Sequence, residues 1–207
     1  MSGGLDRAAL VAGAKAVAAR MEACGDEINE ADAKLGDGDL GVTMTRGMGA
    51  IVAEADALPA DVGMALLACS KCFTRISGSS FGTLVATGLM AMAKACKGRE
   101  EVPWAEASAL LAAACEAMRK RGKAELGAKT VLDSLAAMAA AMEGKDAPGE
   151  LAAAARDAAG AALEEFRGRQ NKLGRARMYG EKSKGLDDPG MLVALRVAEG
   201  LAPPADG

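Results

Sequence analysis

Apolar residues recur along this chain with the periodicity of helix faces, and no segment shows the sustained apolar–polar alternation typical of a strand. The pattern predicts eight helices, over about residues 5–30, 42–57, 60–75, 81–97, 103–120, 130–143, 147–168 and 189–201. The breaks between them contain glycine, proline and charged residues, and Asp188 and Pro189 are typical of a helix N-cap and first turn. We therefore predict an all-α fold.

The connections between these helices are short, which favours an eight-helix up-and-down antiparallel barrel or bundle. The connections before the second, fourth, sixth and eighth helices are rich in Asp, Ser, Thr, Lys and Gly. Alternate connections of such a bundle lie at the same end, so we expect these four to gather at one pole and build a site there. No linker divides the chain, and we expect one domain over residues 1–207 with a frayed tail over about 202–207.

Composition supports packed helices, because 51% of residues are apolar but only 2% are aromatic, which leaves Ala, Leu, Met and Val to fill the core. The net charge of -3 provides no general attraction to nucleic acid or to anionic membranes. The longest uncharged run, residues 76–93, is interrupted by Ser, Thr and Gly, so we predict a buried helix rather than a membrane span. The N-terminus lacks the features of a signal peptide, and we expect a cytoplasmic protein.

The chain contains no histidine, which excludes Ser-His-Asp and Cys-His mechanisms within it. A metal site would have to use carboxylates, and these favour Mg²⁺ or Ca²⁺ over zinc. The five cysteines include one C-x-x-C, at Cys69 and Cys72, inside a predicted helix and without a second pair. Buried structural thiols are therefore favoured over redox chemistry.

Three aspartates, Asp32, Asp37 and Asp39, lie close together in and before the stretch "LGDGDLG". Its glycines match G-x-G-x-x-G in form, but a helix precedes them, so a Rossmann unit is excluded. An EF-hand is also excluded, because the twelfth position from Asp37 is Met48 rather than a glutamate. Converging carboxylates need cations, and Mg²⁺ accepts a few carboxylates together with phosphates. The alternative is a solvated turn with aspartate caps.

The other polar connections offer groups for an anion. Ser79 and Ser80 open a helix whose first N–H groups could bind one, although an ordinary serine cap is the alternative. Arg175 could clamp a phosphate, and a solvated basic segment is the alternative. Lys129 and Thr130 precede the sixth helix.

Taken in order, the stretches "DAKLGDGDLG", "GSSFGTL", "RGKAELGAKTVLDSL" and "GRARMYGEKSKGLDDPG" resemble the DAK2, or DhaL, family. This family comprises the nucleotide-binding subunit or domain of dihydroxyacetone kinases. The resemblance extends over about residues 5–200, and the first and last stretches are its most specific parts.

The resemblance implies an eight-helix antiparallel barrel whose loops at one end hold two Mg²⁺ ions and ADP or ATP. Asp32, Asp37 and Asp39 match the three metal-ligating aspartates. The positions that match nucleotide-binding segments are Leu40, Gly41, Thr43, Ser79, Ser80, Phe81, Gly122, Val131, Arg175, Asp188, Pro189 and Gly190. No residue of this chain is assigned a catalytic role. A phospholipid in the barrel core is a further partner that the resemblance implies.

Four positions depart from the family pattern. Leu40 replaces the histidine of G-D-G-D-H-G, and Phe81 lies where G-G-x-S-G has serine. Ala128 replaces the aspartate of G-D-K-T, and Ser134 replaces the alanine of D-A-L. These changes leave the metal-binding aspartates in place and affect the nucleotide and partner contacts.

The function implied is that of an L subunit of a dihydroxyacetone-type kinase. It would transfer a phosphoryl group to a small keto-sugar held by a histidine of a separate K-type subunit. Either ATP exchanges freely, or ADP stays bound and is rephosphorylated by a phosphotransferase-system phosphocarrier. The alternative is a non-catalytic regulatory module that binds a nucleotide or a lipid, and Leu40 and Phe81 favour it.

Overall fold

The computed structural model describes residues 3–76 and 78–202. Within these ranges eight α-helices account for most of the chain. They are α1 (Arg7–Leu35), α2 (Leu40–Ala53), α3 (Val62–Ile76), α4 (Ser80–Cys96), α5 (Ala107–Gly122), α6 (Val131–Met142), α7 (Pro148–Arg167) and α8 (Pro189–Leu201). The all-α prediction is confirmed.

Three of the predicted boundaries were wrong. Helix α1 continues past residue 30 to Leu35, because neither glycine nor proline occurs between residue 30 and Gly36. Helix α2 ends at Ala53, and a separate 3₁₀ turn (Ala55–Ala57) follows it. Helix α5 begins after a second 3₁₀ turn (Trp104–Glu106), for which Pro103 is the N-cap. The predicted frayed tail from residue 203 onward lies outside the described residues.

Two short strands and a 3₁₀ helix were also not predicted. Strands β1 (Leu5–Asp6) and β2 (Glu101–Val102) pair antiparallel, and each is too short to show alternation in the sequence. A 3₁₀ helix (Arg175–Ser183) lies within the long connection between α7 and α8. Its backbone kinks at Gly180, where φ is 52°.

The helices form a closed ring, because each packs against the next along the chain and α8 packs against α1. Ion pairs cross the closing seam. Arg20 of α1 donates to Glu199 of α8 at 2.5 Å, and Arg196 of α8 pairs with Glu27 of α1. The predicted up-and-down barrel is therefore confirmed. None of the helices within 3–76 and 78–202 is long and apolar enough to cross a membrane.

The five cysteines are free and buried, as predicted. Burial raises the pKa of the Cys69 thiol to about 12, and it also raises the pKa of Cys72. Both thiols of the C-x-x-C are consequently neutral near pH 7 and poor nucleophiles.

One core hydroxyl lacks a partner. Ser134 of α6 is fully buried, and its Oγ finds no hydrogen-bond partner among the residues that the structure describes. A buried hydroxyl that makes no hydrogen bond costs about 1–3 kcal/mol. Ser134→Ala is therefore expected to raise the free energy of unfolding by about 1–2 kcal/mol, measured by urea denaturation.

Ser70 is the matched control for this substitution, because it is also a buried helix serine but its Oγ donates to the carbonyl oxygen of Ala86 at 2.8 Å. Ser70→Ala is expected to lower the free energy of unfolding by about 1 kcal/mol. Equal destabilisation by the two substitutions would show that Ser134 is hydrogen-bonded after all.

Candidate functional site

A cleft of about 830 Å³ lies at one pole of the barrel. Its wall includes residues from the four connections that precede α2, α4, α6 and α8, among them Asp37, Ser79, Thr130 and Arg175. The structure therefore confirms that these four polar connections gather at one end.

The aspartates converge through a turn that Asp32 organises. Asp32 lies in the last turn of α1, and its Oδ2 accepts the backbone N–H groups of Gly38 at 2.9 Å, Asp39 at 3.1 Å and Leu40 at 3.3 Å. Gly38 has φ of 77°, a conformation that favours glycine and folds the turn back over the helix end. Asp32, Asp37 and Asp39 consequently place carboxylate oxygens within 4.8 Å of one another.

The electrostatics of this cluster call for cations. Burial raises the pKa of Asp32, and the three backbone amides partly offset that rise. Arg175 pairs with Asp37 and lowers the pKa of that carboxyl. Hard carboxylate oxygens at this spacing are the ligand type that Mg²⁺ prefers, so the residues present fit a Mg²⁺ site.

Asn29 stabilises the segment that follows the aspartate turn, and it was not predicted as a site residue. Its Oδ1 accepts the N–H groups of Gly41 at 2.8 Å and of Val42 at 3.3 Å, which caps the start of α2. The available signal was its position one helical turn before Asp32, on the same face of α1.

Gly41 and Thr43 differ from the other predicted site residues, because they do not line the cleft. Gly41 is buried where α2 approaches α1, and an added Cβ would collide with the carbonyl oxygen of Gly25. Thr43 donates its backbone N–H to the carbonyl oxygen of Asp39 at 2.9 Å. Both residues lie in the first turn of α2, directly after the aspartates. Every other predicted site residue lines the cleft.

The α3–α4 connection places a serine cap and an aromatic ring in the cleft wall. Ser79 is the N-cap of α4, and its Oγ accepts the N–H of Gly82 at 3.0 Å. Phe81 packs beside Gly190, where an added Cβ would lie 3.1 Å from the ring and 3.3 Å from Val131 Cβ. The phenyl ring therefore fills the space above the start of α8.

Asp188 is the buried N-cap of α8, as predicted. Its Oδ1 accepts the N–H of Met191 at 2.9 Å, and its Oδ2 accepts from Asn171 Nδ2 at 2.7 Å. Pro189 occupies the first helical turn. Burial raises the pKa of Asp188 from its ordinary value near 3.8 to about 6, although its hydrogen bonds and the charge of Lys129 oppose the rise.

This raised pKa predicts a pH dependence of stability. Between about pH 4 and pH 6 the folded chain retains a proton on Asp188 that the unfolded chain has lost, so stability falls as pH rises through this window. The loss amounts to at most about 3 kcal/mol. Asp188→Asn, which keeps an oxygen for the cap, is expected to remove this component from urea unfolding curves. If the free energies of unfolding of the wild type and Asp188→Asn varied with pH in parallel, Asp188 would not be the source of this pH dependence.

Two arginines in the cleft wall, Arg121 and Arg177, were not predicted as site residues. Both are exposed, and neither forms an ion pair with any residue in the described ranges. Arg121 lies in a basic run at the end of α5, where a solvated segment is the usual interpretation. The repeated arginine in "GRAR" was the available signal for Arg177.

Comparison with known proteins identifies relatives of this chain. A model of the DAK2 domain family matches residues 34–203. The triokinase/FMN cyclase of Bos taurus is 31% identical over 183 residues, which cover 85% of this chain and 31% of that protein. The PEP-dependent dihydroxyacetone kinase, ADP-binding subunit DhaL, of Escherichia coli (strain K12) is 28% identical over 177 residues, covering 83% of this chain and 84% of that subunit.

A solved structure shares the fold. The dihydroxyacetone kinase from C. freundii, in complex with AMP-PNP and Mg²⁺, aligns with a TM-score of 0.73 and 25% identity over 94% of this chain and 33% of that one. This chain therefore spans about a third of the length of the C. freundii kinase and of the triokinase/FMN cyclase.

Proposed function

This chain belongs to the DAK2 domain family, and on that premise we propose that it is the Mg²⁺- and ADP- or ATP-binding L subunit of a dihydroxyacetone-type kinase. The observation that carries the proposal is the cluster of three carboxylates within 4.8 Å of one another, in a cleft built by four loops. The C. freundii kinase, solved with AMP-PNP and Mg²⁺, supports a nucleotide and Mg²⁺ as the ligands.

We assign two Mg²⁺ ions to Asp32, Asp37 and Asp39. When bound, the ions would neutralise charge on the nucleotide phosphates and on the transferring phosphoryl group. The aspartates act as ligands rather than bases. Asp32 also fixes the turn through its three backbone hydrogen bonds, so the carboxylates are arranged before an ion arrives.

The nucleotide is assigned to the remaining cleft residues. Arg175, whose present partner is Asp37, is the cation nearest the cluster, and it would turn to a phosphate once metal ions satisfy that carboxylate. The first N–H groups of α4, at Ser80 and Phe81, offer further anion donors. The apolar wall for the base would come from Leu40, Phe81, Val131 and Pro189, next to Gly122 and Gly190.

The acceptor is assigned to a partner. These 207 residues include no histidine to hold a keto-sugar covalently, so a K-type subunit or domain would carry the sugar to the cleft. The E. coli relative is named as the ADP-binding subunit of a PEP-dependent kinase, which supports bound ADP. We assign the role of phosphoryl donor to that ADP to a phosphocarrier protein. Five free buried thiols favour a reducing, cytoplasmic setting.

The test is phosphoryl transfer in a reconstituted mixture. The chain, a K-type subunit loaded with dihydroxyacetone, and Mg²⁺ are incubated either with labelled ATP or with ADP and a phosphorylated phosphocarrier. Product is expected only when both subunits and Mg²⁺ are present. Label that remains with the chain after gel filtration identifies ADP as a fixed cofactor.

A regulatory module is the second candidate, because Leu40 and Phe81 make the cleft more apolar than the family pattern. Binding of Mg²⁺-ADP without transfer from either donor, across a panel of three- and four-carbon sugars, would favour it. A phospholipid in the barrel core belongs to this candidate, and mass spectrometry of the intact protein before and after delipidation tests for it.

A further inference from the structure

Lys129 is a fully buried lysine whose ammonium group donates to backbone carbonyl oxygens. Its side chain is 1% exposed, although the residue directly precedes the cap of α6. Four carbonyl oxygens surround its Nζ. They belong to Arg167 at 3.1 Å, Arg169 at 2.9 Å, Ser183 at 2.9 Å and Leu186 at 2.7 Å.

These four carbonyls come from both ends of the α7–α8 connection. Arg167 and Arg169 lie where the chain leaves α7, whereas Ser183 is the last residue of the 3₁₀ helix that begins at Arg175, and Leu186 follows that helix. The ammonium group therefore holds the start and the end of the α7–α8 connection close to each other, and this connection carries Arg175.

Asn171 extends the same network. Its Nδ2 donates to the carbonyl oxygen of Lys129 at 2.8 Å and to Asp188 Oδ2 at 2.7 Å, and its N–H donates to Ser183 Oγ at 3.0 Å. Lys129 is thereby connected to the buried cap of α8, which also lines the cleft.

Holding Lys129 in this position costs free energy of folding, which argues that the cleft depends on its contacts. Burial lowers the pKa of Lys129, and no carboxylate lies within ion-pairing distance of its Nζ among residues 3–76 and 78–202. Its φ of 61° is a conformation that L-residues rarely adopt. A cage of carbonyl oxygens is the type of coordination that proteins use for a bare monovalent cation.

We propose that Lys129 is a positioning residue: its ammonium is an internal cation that fixes the α7–α8 connection and thereby holds Arg175 and Asp188 at the cleft. The structural part of this proposal rests on the contacts alone. The effect on nucleotide affinity rests on the proposed function.

The first test measures the connection directly by amide hydrogen exchange in Lys129→Met. Exchange over residues 169–187 is expected to be at least about tenfold faster than in the wild type, with α2 and α3 unchanged. Lys123→Met is the matched control, because Lys123 also has positive φ (49°) but is exposed and does not line the cleft. Unchanged exchange in Lys129→Met, or equal acceleration in the control, would overturn the proposal.

The second test asks whether Lys129 acts through Arg175. Lys129→Met is expected to weaken Mg²⁺-ADP about tenfold in the wild type and by less than about twofold in an Arg175→Ala background. Equal weakening in both backgrounds would refute action through Arg175. A wild type that does not bind Mg²⁺-ADP would instead refute the proposed function, and the exchange result would still decide the structural part.

A third variant covers the case in which the methionine variant does not fold. Lys129→Gly relieves the strain of positive φ and leaves the carbonyl cage unfilled. Refolding of this variant is expected to recover with n-butylammonium and not with the neutral n-butanol. Recovery with neither compound, or equally with both, would contradict an internal cation.

Discussion

Asp37→Asn is expected to weaken Mg²⁺-ADP binding by at least about 100-fold, or roughly 3 kcal/mol, in isothermal titration. The substitution removes one of three charged ligands from a cluster whose oxygens lie within 4.8 Å of one another. Asp37→Asn tests the metal site more specifically than a substitution of Asp32 would. Asp32 also accepts three backbone N–H groups, so replacing it would disturb the turn. The main partner of Asp37 is the side chain of Arg175.

The loss of ADP affinity in Asp37→Asn should depend on the presence of Mg²⁺. In EDTA, where wild-type binding of ADP is also expected to be lost, the difference between Asp37→Asn and the wild type should disappear. Glu125→Gln is the matched control, since it makes the same charge change on an 86% exposed side chain of the α5–α6 connection, outside the cleft wall. Wild-type affinity of Asp37→Asn in Mg²⁺ would exclude the aspartates as the metal site.

Gly41→Ala is expected to lower the free energy of unfolding by about 3 kcal/mol. The added Cβ would lie 2.8 Å from Asn29 Oδ1 and closer still to the carbonyl oxygen of Gly25, so α1 and α2 would have to separate. Backbone atoms cannot rotate away as a flexible side chain can, and overpacking of this kind costs about 1–3 kcal/mol or more. The melting temperature should fall by roughly 6–12 °C.

Gly49→Ala provides the control within the same helix. Nothing lies within 4 Å of a Cβ at Gly49, so alanine should stabilise α2 by up to about 1 kcal/mol through its helix propensity. Gly41→Ala should also weaken Mg²⁺-ADP, because the same backbone carries Asp39. A Gly41→Ala protein as stable as Gly49→Ala would show that the close approach of α1 and α2 is not required.

Local patterns made much of this architecture predictable. Each helix is encoded by apolar periodicity and ends at glycine, proline or charged residues, so the eight helices and the gathering of four connections could be inferred from the sequence. The aspartates were equally accessible, because Asp32, Asp37 and Asp39 fall within eight residues and their chemistry is that of a metal site.

Long-range contacts were not predictable, because they depend on how the helices pack. Lys129 is 38 to 57 residues away from the carbonyls that it binds, and nothing in its own segment indicates burial. Resemblance predicts Gly41 as a nucleotide-binding position, and its close approach to Gly25 of a neighbouring helix becomes visible only in the structure. The role of Asn29 likewise emerges only when α1 and α2 lie side by side.

If the aspartate cluster binds nucleotide through Mg²⁺, the affinity of the wild-type chain for ADP must depend on the metal. Isothermal titration with ADP, in Mg²⁺ and again in EDTA, measures this dependence. Saturable binding is expected in Mg²⁺ and should be lost in EDTA. Absence of binding in Mg²⁺, or equal affinity in both buffers, would contradict it.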